Sequence, residues 1–191
     1  MRTPLEMFSI NQLAKKINLA YPYVYESINK LNKKRLVSVK KIGKNNLCQL
    51  KFDNPIDLAL ASMENTKNFL SKHLQINNLA QQLKENLTQE LYILLLFGSQ
   101  AKGKATKNSD IDLFFIIKDK NKIDKFRKKV NSVMAKLNYN TEFEVSTMNW
   151  FYDMLSDKTT VGREIFKTNL VLHNPEAYFW LVREHDQRKG Y

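Results

Sequence analysis

One cysteine, Cys48, stands in the whole 191-residue chain, so neither an internal disulfide nor a thiolate zinc cluster can form, and a buried, inert thiol is expected. His73, His173 and His185 lack metal-ligand spacing and read as structural. Long apolar runs are missing as well: the longest, Leu91–Phe97, falls far short of the ~20 residues that cross a bilayer. The opening "MRTPLEMFSI" has neither the apolar stretch nor the cleavage site of a signal peptide. A cytoplasmic protein without membrane contact is the expectation. Internal repeats and low-complexity tracts are absent too. Acidic residues are the other shortage, with 19 Asp and Glu against 31 Lys and Arg and a net charge of +12. The excess is uneven, since residues 1–53 carry a net +8 and the remainder only +4. A basic first quarter points to an acidic polymer as partner, nucleic acid first.

What is present suffices for packed cores: 43% of residues are hydrophobic and 26% charged, as in ordinary globular chains. Ser9 followed by Gln12 is a capping-box signature, ahead of a helix with Ile10, Leu13, Ala14 and Ile17 on one face. After "NLAYP", Val24, Ile28 and Leu31 recur at helical spacing, and Pro22 suits a first helical turn, where a missing N–H costs nothing. "LVSVKKI" and "LCQLKF" around "GKNN" then read as a hairpin. Helix, tight turn, helix and basic hairpin over residues 9–53 resemble the winged helix-turn-helix family, with only "TPLEMF" where that family usually has a further helix. The resemblance implies a DNA-binding domain over residues 1–53, its second helix in the major groove and its wing on the backbone. Carried over by position, Tyr21, Tyr23, Glu26, Asn29 and Lys30 would reach bases or phosphates. Lys33, Lys34, Arg35, Lys40, Lys41 and Lys44 would neutralise phosphates.

From Asn54-Pro55, a connecting helix is expected over residues 54–75, with Ile56, Leu60, Met63, Phe69 and Leu70 as its apolar residues. Leu79, Leu83 and Leu87 mark a short amphipathic helix. "LYILLLF" reads as a strand buried on both faces and ends at Gly98. Past Gly98-Ser99, Gly103 and the turn "TKNS", "DIDLFFII" reads as another strand. Strand alternation puts Asp110 and Asp112 on one side, two residue rises apart. Neighbouring carboxylates repel, and a hard divalent cation such as Mg²⁺, which takes carboxylate and phosphate oxygens, relieves that repulsion. Gly98 lets backbone N–H groups approach an anion, and a helix starting near Ser99 would aim its positive end there. Lys102, Lys104 and Lys107 lie near enough to meet a triphosphate or a departing pyrophosphate. The lysine-rich residues 118–129 most simply cover the outer side of a helix built on Ile123, Phe126, Val130, Val133 and Leu137.

"GSQAKGKA" also matches the P-loop pattern at every position but the last. Ala105 stands where that loop needs a hydroxyl, and the turn Lys107-Asn108-Ser109 leaves no room for its helix. "GSQAKGKATKNSDIDL" instead resembles the minimal nucleotidyltransferases of the DNA polymerase β superfamily. Gly98, Ser99, Ala101, Gly103, Ser109, Asp110 and Asp112 fall on that family's Gly-Ser, small-residue spacer and Ser-Asp-x-Asp pattern, with Lys102 in place of a frequent arginine.

The resemblance implies an α+β fold: a winged helix-turn-helix joined by a helix to a polymerase β-like domain over residues 76–191, a mixed sheet with flanking helices. It implies that Gly98, Ser99, Lys102, Gly103, Lys104 and Ser109 bind an NTP, ATP foremost. Asp110 and Asp112 would hold two Mg²⁺ ions, which Mn²⁺ can replace. A third catalytic and metal-binding carboxylate would come from "TEFEVST", where Glu144 best fits the apolar-acid-apolar pattern and Glu142 shares its face. Both are glutamates where aspartate is usual, and the extra methylene can displace a ligand by about 1 Å. The implied reaction moves a nucleoside monophosphate, AMP foremost, to a hydroxyl. Members of resembling families act as antitoxins on HEPN-type toxins. The alternative is a DNA-binding transcriptional regulator whose inactive nucleotidyltransferase domain serves as a sensor or homodimer module. The tail reads as a helix, a short strand or turn at Asn169–Leu172, and a last helix opened by Pro175, its aromatics in core or interface.

Overall fold

A computed structural model of the chain describes residues 6–43, 45–106, 109–156 and 165–188. Helix α1 (Ile10–Ile17) opens on the capping box: the Gln12 N–H donates to Ser9 Oγ at 3.2 Å and the Ser9 N–H to Gln12 Oε1 at 2.7 Å. α2 (Tyr21–Lys33) buries Val24 and Ile28. Ile17 and Leu31, read as core, are exposed at the ends of their helices. Strands β2 (Val37–Ile42) and β3 (Asn45–Leu50) pair antiparallel, and Phe8–Ser9, here β1, adds to the free side of β3. Ile10, Ala14, Val24, Ile28, Val37 and Cys48 form this core. The lone thiol is buried as expected, and burial raises its pKa.

α3 (Pro55–Leu70) starts where Asn54 caps the Asp57 N–H, and most of the apolar residues named from the sequence do not form its buried face. Ile56, Leu60 and Met63 point outward, 54%, 60% and 55% exposed. Leu58, Ala59, Ser62, Thr66 and Phe69 point inward. The small residues let the helix lie close to β7 (Leu170–His173) and α8 (Pro175–Arg188), and Thr66 Oγ1 donates to the Val171 carbonyl at 3.0 Å. Packing partners, not hydropathy, choose the face.

α4 (Leu74–Asn86) buries Ile76, Leu79 and Leu83 and leads into β4 (Tyr92–Leu96), buried throughout. β5 (Ile111–Ile117), α6 (Ile123–Leu137), β6 (Thr141–Thr147) and α7 (Met148–Ser156) follow. The strand order is β6-β5-β4-β7, with β5 and β6 parallel and the other pairs antiparallel, the expected mixed sheet. One face carries Leu94, Leu96, Leu113 and Phe115 against Leu79, Leu83, Phe126 and Val130 of α4 and α6. The other carries Ile93, Leu95, Phe114 and Ile116 against Leu58, Phe151, Tyr178 and Val182 of α3, α7 and α8. Phe52 joins the second cluster, with Leu36 and Leu50 packed against it, so the hairpin's base abuts the larger core. Among the described residues no helix is long and apolar enough to cross a membrane.

Candidate functional site

β4 leads through Phe97 into a five-residue helix, α5 (Gly98–Lys102), closed by Gly103 in the left-handed region at φ 69°. Gly98 is also left-handed, at φ 67°, and a β-carbon there would lie 1.8 Å from Asp112 Oδ2 and 2.7 Å from its Cγ. Only glycine allows this approach. The Phe97 N–H donates to the Asp112 carbonyl at 3.0 Å, and the Ser99 N–H donates to the Asp112 carboxylate. The turn is thus laid onto the acid of the next strand.

Beyond it, the Lys104 N–H donates to the Ser99 carbonyl at 3.0 Å, and the Thr106 N–H donates to Ser109 Oγ at 2.8 Å. Ser109 therefore closes its own loop. Lys107, like Lys44 in the hairpin, lies outside the described residues. Lys102 and Lys104 are exposed.

The carboxylates come from two parallel strands. Register pairs Asp112 with Glu142 and Phe114 with Glu144. Asp110 Oδ1 accepts from the Asn140 amide, while the Ile111 N–H donates to the Asn140 carbonyl at 2.9 Å. Glu144 lies 3.0 Å from Arg127 Nη2 of α6. Burial, then the charges of Glu142 and Asp110, push the Asp112 pKa up, against the Ser99 N–H and Lys102. Among the described residues no group of three or more His, Cys, Asp or Glu is arranged to hold a metal. Asp110, Asp112 and Glu142 adjoin without converging on one point. Asn140 and Arg127 escaped the sequence reading because their roles depend on strand register and helix docking, which no local pattern displays.

In the N-terminal unit, Tyr21, Tyr23, Glu26, Lys30, Lys33, Lys34, Arg35, Lys40 and Lys41 are exposed and Asn29 is half-buried. Lys30 pairs with Glu26 at 2.7 Å, which holds the Glu26 carboxyl below its ordinary range and uses one cation. Tyr25, absent from the sequence reading, stacks on Tyr21 with ring centroids 6.0 Å apart.

Fold and turn together define an α+β protein with an acidic site at one end of a mixed sheet. The family model described as Polymerase beta, Nucleotidyltransferase matches residues 77–176, and the chain belongs to that family. No curated protein matches the chain. Solved structures that resemble it include the following two. One, a presumed nucleotidyltransferase from Sulfolobus solfataricus, is 24% identical with a TM-score of 0.31 over 38% of this chain and 69% of that one. The other, a toxin-antitoxin with AMP-PNP, is 16% identical with a TM-score of 0.38 over 58% of this chain and 87% of that one.

Proposed function

We propose that the protein transfers a nucleoside monophosphate, AMP foremost, from an NTP to a hydroxyl. The acceptor oxygen bonds to the α-phosphorus, the α–β bridging bond breaks, and pyrophosphate leaves. The observation that carries this reading is the glycine-only contact of the Gly98 turn with Asp112. It sets the turn that carries Gly98, Ser99 and Lys102 against a carboxylate suited to a cation, so that a phosphate on the turn and a metal on the acid would be neighbours. Gly98, Ser99, Lys102, Gly103 and Lys104 take the triphosphate in this reading; Ser109 shapes the loop.

The donor set fits Mg²⁺ in chemistry: all-oxygen ligands, mutually repelling, with the Asp112 pKa raised by burial first and then by the charges of Glu142 and Asp110, which a divalent cation would offset. Asp110 and Asp112 would hold it, joined by Glu142 rather than Glu144, because Glu142 stands opposite Asp112 and Glu144 is paired with Arg127. Bound there, the metal supplies charge stabilisation at the attacking and leaving oxygens. The acceptor is a partner protein of the HEPN-toxin type, and the basic N-terminal unit is a winged helix-turn-helix that brings the enzyme to DNA. Incubation with labelled ATP, Mg²⁺ and the protein encoded beside this gene should label that partner. No transfer, or equal transfer by the Asp110→Ala/Asp112→Ala variant, overturns the reading.

One observation favours a second reading, a DNA-binding regulator with an inactive domain: the three acids are not gathered into a metal-ready cluster. That regulator would bind operator DNA with a steep salt dependence and show no turnover with any acceptor.

A further inference from the structure

Asp112 and Phe114 share one face of β5, two residues or about 6.7 Å apart. Trp150, in the first turn of α7, stacks on Phe114 with ring centroids 6.2 Å apart and 25° between planes. Phe114 is buried, yet Trp150 is 50% exposed. On the adjoining edge strand β6, Glu142 and Glu144 of this same face are exposed, Glu144 being reached by Arg127 of α6. Asp112, the two exposed glutamates and the ring that supports Trp150 thus belong to one side of the sheet, and the indole lies on it with its apolar support already in place.

We propose that Trp150 is the stacking platform for the base of the nucleoside triphosphate, a specificity-determining residue of the site; the inference rests on the nucleotidyltransferase reading above. A nucleotide presents phosphate, sugar and flat base in that order. With phosphates at Asp112 and the Gly98 turn, a base directed along β5 would reach the level of Phe114 and of the indole stacked on it. Stacking accepts every base because each has a π-face, and it favours purines through their larger area. The Phe114 ring beneath holds the indole flat, so little side-chain entropy is lost on binding.

The test compares Mg²⁺-dependent binding of inorganic tripolyphosphate, ATP and CTP to the full chain by calorimetry. Wild type should bind ATP more tightly than CTP and both more tightly than tripolyphosphate. Trp150→Ala should weaken ATP roughly tenfold and leave tripolyphosphate unchanged. Trp150→Phe should retain most of the ATP affinity, and in a Trp180→Phe background ATP, but not tripolyphosphate, should quench the remaining site indole. Equal ATP affinity in wild type and Trp150→Ala, or quenching by tripolyphosphate as strong as by ATP, overturns the proposal while the enzyme reading stands. Absence of any Mg²⁺-dependent tripolyphosphate binding overturns both. Thermal melts of the variants separate misfolding from lost stacking, and the Trp180→Phe quenching experiment decides the matter without altering Trp150.

Discussion

Asp112 and Glu142 stand opposite each other in register across the parallel β5–β6 pair, two carboxylates on one side of the sheet. With burial the larger cause, this neighbour and Asp110 raise the Asp112 pKa in the folded chain. The folded state thus keeps a proton that the unfolded state has already released, and stability falls as pH rises from the ordinary aspartate range through the raised pKa. At neutral pH the charge is a cost to stability. Asp112→Asn should raise the melting temperature at pH 7, flatten its decline between acid and neutral pH, and reduce transfer at least ~100-fold. Calorimetric melts across pH, with a transfer assay alongside, check it. A lower melting temperature at pH 7 contradicts the electrostatic account.

Gly98→Ala sets a β-carbon at φ 67° against the Asp112 carboxylate. The carboxylate can swing away, so the backbone conformation sets the stability loss, about 1–2 kcal/mol. The displaced acid should cost transfer activity about 100-fold, more than the stability loss accounts for. Urea unfolding and kinetics on one preparation separate the two effects.

Replacing the two glutamates of β6 distinguishes their roles. Glu142→Gln should lower the Asp112 pKa by removing the opposed charge and should reduce transfer by ~100-fold, whereas Glu144→Gln releases Arg127 and should leave activity within about threefold. Carboxylate titration by NMR reads the first effect directly. Equal losses in the two variants would assign the third carboxylate to neither.

Strand alternation put Asp110 and Asp112 on one side, the end of an apolar run marked the Gly98 turn, and the resemblance joined them into one site, because those signals lie within a few residues of one another. The choice between Glu142 and Glu144 needs the register of two strands joined by a helix, and a two-residue strand such as β1 is too short for alternation to show. α3 misled for a different reason: its inward face includes Ser62 and Thr66, while its apolar Ile56, Leu60 and Met63 face out. Hydropathy cannot see that Thr66 is satisfied by a carbonyl of β7.

Lys40 and Lys41 of the hairpin are exposed and carry no ion pair among the described residues. If each meets one phosphate, Lys40→Ala/Lys41→Ala should reduce the slope of log K against log salt for duplex DNA by about 2. Affinity measured at several salt concentrations tests it. An unchanged slope removes the hairpin from any DNA interface.

Tyr92 offers a test of core energetics away from the site. Its ring stacks on His173 with centroids 4.5 Å apart and packs on Phe115 and Phe126, but its hydroxyl is buried without a hydrogen-bond partner among the described residues. Such a group gives up its bond to water and gains none in return. Tyr92→Phe keeps the ring contacts and should stabilise by about 1 kcal/mol, with the urea m-value unchanged. Burial also raises the Tyr92 pKa from the ordinary 10 to about 12. Between those values the unfolded chain loses this proton while the folded chain keeps it, so wild-type stability falls as pH rises. The phenylalanine variant escapes that fall. Its advantage over wild type should therefore widen between about pH 10 and 12, and a constant gap would mean that the hydroxyl finds a partner after all.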